Sequence, residues 1–95
     1  MPNYPEMTSN PARRKQVRRT VLECLKHASP YALANEVLQE HCNDLIRPPI
    51  NYGEWGMTEK FLKDGGFIVP IQSDIDPEMK QWAITDLGKT FLKSL

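Results

Sequence analysis

The sequence predicts an α+β fold. Three observations carry this reading: three stretches with apolar residues at three-to-four-residue spacing, two β-rich runs around a polar turn, and a short final stretch with an apolar residue every four positions. At 95 residues and 40% apolar content, the chain holds one modest core and has no room for a second.

Residues 1–9 (MPNYPEMTS) carry two prolines and no apolar period, so they read as a flexible N-terminal arm, leaving residues 10–95 for the folded domain. Asn10 followed by Pro11 is a helix-start signal, because an Asn oxygen accepts from the first free amides and Pro suits the first helical position. Val17, Val21, Cys24 or Leu25, and Ala28 then mark one apolar face, and Ser29–Pro30 ends the helix and can cap the next. A second amphipathic helix places Leu33 or Ala34, Val37 or Leu38, His41 or Cys42, and Leu45 on one side, although its first residues could instead form a short strand. Arg47, Pro48 and Pro49 stop it, since neither proline continues a helix.

The third helix has the best-specified start. Asn51 and Glu54 have the spacing of a capping box, while Ile50 and Trp55 have that of a hydrophobic staple. At about 100° per residue Trp55, Thr58, Phe61 and Leu62 share the buried arc. Tyr52, Gly53, Gly56, Glu59, Lys60 and Lys63 collect on the opposite arc, where packing does not explain two glycines. Gly65 or Gly66 supplies the left-handed stop. FIVPIQ, SDIDPE and MKQWAIT then read as a hairpin with Pro70 on an edge strand, and Thr85 or Asp86 caps a last helix with Leu87, Phe91 and Leu95 inward. Trp55, Phe61, Phe67, Trp82 and Phe91 are assigned to the core.

This order, with GGFI leading out of the third helix and WAITDLGKTFL leading from the hairpin into the last, resembles the winged helix-turn-helix superfamily over residues 11–95. The resemblance implies a three-helix core followed by a β-hairpin wing and a short C-terminal helix. It also implies DNA binding, with residues 52–63 in the place of a recognition helix.

Charge narrows the function by its distribution and not by its total. Lys and Arg number 12, as do Asp and Glu, so no global attraction to nucleic acid or membrane follows. Arg13, Arg14, Lys15, Arg18 and Arg19, however, place five cations in seven residues without an acid, a cluster suited to phosphates. Asn51, Tyr52, Lys60 and Lys63 are side chains able to touch bases or phosphates, and Gly56 would let another backbone approach. Asp74, Asp76 and Glu78, facing only Lys80, make a wing that a phosphate-lined groove repels, so the tip stands off DNA or meets a protein.

Cys24 with His27, and His41 with Cys42, have the residue types of a zinc site, but adjacent helical residues point about 100° apart. Buried, reduced thiols and no metal are expected. No nucleophile–base pair, phosphate loop or cofactor motif is present in the sequence, so no enzymatic activity and no cofactor are expected. With no leader and no apolar run near the ~20 residues of a membrane span, a cytoplasmic protein is expected. Its expected partners are duplex DNA, a protein reached through the acidic wing and a second copy of the chain, with a protein-interaction module that binds no DNA as the competing function.

Overall fold

The computed structural model describes residues 10–95; the proposed arm at 1–9 lies outside the described residues. Within them run α1 (Pro11–Ala28), β1 (Leu33–Ala34), α2 (Asn35–Leu45), α3 (Tyr52–Asp64), β2 (Ile68–Gln72), β3 (Lys80–Ile84) and α4 (Asp86–Lys93). These four helices and one three-stranded antiparallel sheet, ordered β1-β3-β2, make an α+β architecture compatible with a winged helix.

The local start signals operate as their chemistry requires. Asn10 accepts from the amides of Ala12 and Arg13, satisfying the free donors at the start of α1. Asn51 Oδ1 accepts from Glu54 N at 2.8 Å while Asn51 N donates to Glu54 Oε1 at 3.1 Å, closing the capping box of α3. Gly66 takes φ 78°, the left-handed turn that a side chain disfavours, whereas Gly65 stays right-handed. Thr85 accepts from Gly88 N and donates to the Gly66 carbonyl, which ties the start of α4 to the exit of α3.

The hairpin pairs β2 with β3, and Pro70 sits opposite Trp82. Because β2 is an edge strand, the missing N–H of Pro70 costs the ladder little and blunts the edge against further pairing. Leu33 pairs with Trp82 across β1 and β3, so the residues before α2 take the strand alternative. That strand separates Ser29 from α2, which starts behind Ala34 with no side-chain cap.

One core runs through the molecule. Val17, Val21, Leu22 and Leu25 of α1 meet Leu38 and Cys42 of α2, Trp55 and Leu62 of α3, and Ile68 and Trp82 of the hairpin. Three inward assignments change. In α2 the core contact after Cys42 is Ile46, where the backbone turns extended, and Leu45 is left exposed. In α4 Leu87 faces out because Gly88 faces in, where a Cβ would lie 2.1 Å from the Phe67 carbonyl oxygen. Phe91, Leu92 and Leu95 then follow Gly88 on the packed side. Phe61 sits at the margin of α3, 37% exposed, with its ring 6.1 Å from Phe67 and 6.2 Å from Phe91.

Candidate nucleic-acid interface

The five cations of residues 13–19 do not form one patch. Arg13 is buried: its Nε donates to Glu54 Oε2 at 2.8 Å and its Nη2 to Glu54 Oε1 at 3.0 Å. The same Nη2 donates to the Pro48 carbonyl at 2.8 Å. Arg13 therefore clamps α1 to the proline loop and the start of α3, and it is not presented to phosphates. The pairing and the Asn51 amide hold the Glu54 carboxyl below its ordinary range, against the opposing effect of burial. Hydrogen bonding to Glu54 likewise raises the pKa of Arg13.

Arg14 and Arg18 line a small cleft with Met57 and Thr58 of α3. The Arg18 guanidinium lies 3.5 Å from the centroid of the Phe61 ring, a cation–π contact that covers the marginal aromatic of α3. Burial, with Arg14 nearby, lowers the pKa of Arg18 from its high ordinary value. Lys15 is exposed, whereas Arg19 lines a different groove, shared with α2 and the end of α4.

On α3 the outer arc is open as its periodicity requires. Tyr52 is 96% exposed, and a Cβ at Gly56 would meet no atom within 4 Å. Lys63 is exposed, and Lys60 pairs with Asp64 at 2.8 Å in solvent. Asn51 is exposed but its side-chain oxygen is engaged in the cap. Around the helix, Phe61 and Met57 border α1, Gly53 and Lys60 point outward, and Lys63 follows on the far side. Arg14 and Arg18 thus stand beside the open arc of α3.

The hairpin tip is acidic and ordered by its own bonds. Ser73 Oγ accepts from the amides of Ile75 and Asp76, and Asp76 Oδ1 accepts from Glu78 N. Ile75 stands 94% exposed between Asp74 and Asp76. Lys80 does not serve these acids; its Nζ lies 3.6 Å from Glu59 Oε2 on α3. Cys24 and Cys42 bring their sulfurs to 3.8 Å, while His27 and His41 are exposed. Among the described residues, no group of three or more His, Cys, Asp or Glu is placed to share a metal ion, and no helix is long and apolar enough to cross a membrane.

Sequence reasoning missed the Arg13–Glu54 clamp and the Arg18–Phe61 stack. The first joins residues 41 apart, and its one local signal is a cation in the first turn of α1, where the helix dipole disfavours it. The second had no local signal.

No family model matches the chain, and no curated protein matches it in sequence. Its fold is similar to the crystal structure of a protein from Thermoplasma acidophilum that is provisionally described as a transcriptional regulator. The likeness has a TM-score of 0.72 at 20% identity and covers 90% of this chain and 79% of that one.

Proposed function

We propose that the chain is a winged-helix DNA-binding protein of the cytoplasm, a small transcriptional regulator or a plasmid- or phage-type accessory factor without enzymatic activity. The observation that carries this reading is the cleft that sets Arg14 and Arg18 beside the exposed arc of α3. Cations on one helix and an open polar arc on the next give phosphate contacts that position the protein and side chains that can read a groove. The similarity of fold to a provisionally described regulator supports the same class. Arg14, Lys15, Arg18 and Lys63 supply phosphate contacts, Tyr52 and Lys60 face the bases, and the acidic wing stays off the duplex.

Fluorescence anisotropy of a labelled duplex at several salt concentrations tests this. Four neutralised phosphates give a slope of log affinity against log salt of about −3 to −4. Arg14→Ala with Arg18→Ala should flatten the slope by about two, leaving sequence preference intact. Tyr52→Ala and Lys60→Ala should narrow the gap between preferred and random DNA. No salt-dependent binding at a protein concentration of about 10⁻⁴ M, where ordinary non-specific affinity already registers, would reject the reading.

The second reading is a protein-interaction module, and Ile75 favours it. Ile75, 94% exposed between Asp74 and Asp76, would meet a partner whose apolar pocket has a basic rim complementary to the acidic tip. Loss of partner binding in Ile75→Asp, together with absent DNA binding, would select this function.

A further inference from the structure

We propose that Cys24 and Cys42 form a reversible dithiol site that a hydroperoxide converts to an intramolecular disulfide joining α1 to α2. The two cysteines come from different helices, and the Cys42 S–H donates to Cys24 Sγ at 3.8 Å. Their accessibility differs in the way such a reaction needs. Cys24 is half-buried and lines an open groove between α1, α2 and the end of α4, whereas Cys42 is fully buried behind it. A small oxidant entering the groove meets Cys24 first. An S–S bond measures about 2.05 Å, so the sulfurs close by roughly 1.8 Å to form one.

The hydrogen bond also divides the roles. It favours the thiolate at Cys24 and lowers its pKa, while together with burial it keeps the proton on Cys42. The Cys24 thiolate attacks the terminal oxygen of the hydroperoxide, the O–O bond breaks, and the alkoxide leaves as an alcohol after taking a proton. Cys24 is then a sulfenic acid. The Cys42 sulfur attacks the Cys24 sulfur, and the Cys42 proton departs with the sulfenic hydroxyl as water. Two thiols and one hydroperoxide thus give one disulfide, one alcohol and one water, the thiols losing the two electrons that the O–O bond gains. A small dithiol reverses the bond by exchange. The site stands whether or not the chain binds DNA, because it needs only the packing of α1 against α2.

The test treats the folded full chain with cumene hydroperoxide and follows it by non-reducing mass spectrometry. The expected product is a monomer lighter by two hydrogens, with Cys24 and Cys42 linked in one peptide pair and the mass restored by dithiothreitol. Before oxidation, iodoacetamide should modify Cys24 ahead of Cys42 in the native protein. In Cys42→Ser, dimedone should trap a sulfenic acid at Cys24. Three results would overturn the proposal: both thiols surviving the oxidant, Cys24 oxidised to sulfinic acid without a link, or a disulfide between chains. Because the wild-type measurement decides, a poorly folded variant would not rescue the idea.

Discussion

Arg13 and Glu54 show how one pair reorganises the meaning of a charge cluster. Taken alone, a cation in the first turn of a helix is unfavourable, because it meets the positive end of the dipole. In the fold its guanidinium spans both Glu54 oxygens and the Pro48 carbonyl, and the pair has only 9% and 4% exposure. Removing one partner leaves the other charge buried, so Arg13→Ala should destabilise the domain by about 3–5 kcal/mol, read from urea unfolding. This separates Arg13 from Arg14 and Arg18, whose loss should touch binding more than folding. The pair also predicts a pH dependence. Because the Glu54 carboxyl is held lower in the folded state than in the unfolded chain, its stabilisation is fully present above the ordinary carboxylate range. It is lost as pH falls through the folded value. The melting temperature should therefore drop below about pH 4, and Glu54→Gln, melting lower at neutral pH, should show a smaller acid-side drop.

At the scale of the element, α3 combines a tightly specified start with a permissive outer face. The capping box and the buried Ile50 and Trp55 hold its first turn, so the helix tolerates two glycines that propensity disfavours. Gly56 has open space where a Cβ would be, and nothing inside the domain requires the residue. Gly56→Ala should raise stability by about 0.5–1 kcal/mol in thermal melts. If another backbone approaches there, the same variant should bind duplex DNA more weakly. A stabilised variant with unchanged affinity would remove Gly56 from the interface. Gly88 is the contrasting case, since the Phe67 carbonyl occupies the space a side chain would take. That one contact rotates α4 so that Leu87 faces solvent.

Over the whole molecule, the central strand β3 joins the sheet to the helices. Trp82 is opposed by Leu33 on one side and Pro70 on the other, packs into the core and donates its indole N–H to Asn35 Oδ1 at 3.2 Å. The hairpin is thereby anchored to the first turn of α2 and not only to its neighbouring strands. Trp82→Ala should cost about 3–5 kcal/mol in chemical unfolding, through the lost ring volume and the unpaired Asn35. An unchanged transition would mean that the hairpin is not closed over the helices. Phe67 stacked on Phe91 at 4.1 Å, with Phe61 beside them and Arg18 over Phe61, makes a second junction between α1, α3 and α4.

Local chemistry determined the elements of this protein. Asn10–Pro11, the Asn51–Glu54 box, Pro48–Pro49, the Gly66 turn and the Pro70 edge are each decided within a few residues, since caps, prolines and turns act over one helical turn or less. The exposed arc of α3 was legible for the same reason, because helical period alone places Tyr52, Gly56, Lys60 and Lys63. Tertiary structure decided what no local period carries: that Arg13 turns inward to a carboxylate 41 positions away, that Arg18 covers Phe61, that Gly88 and not Leu87 faces the sheet, and that two cysteines 18 residues apart bring their sulfurs together. Each depends on the distance between elements after packing, and a buried charge or a close backbone approach is selected by the partner it meets.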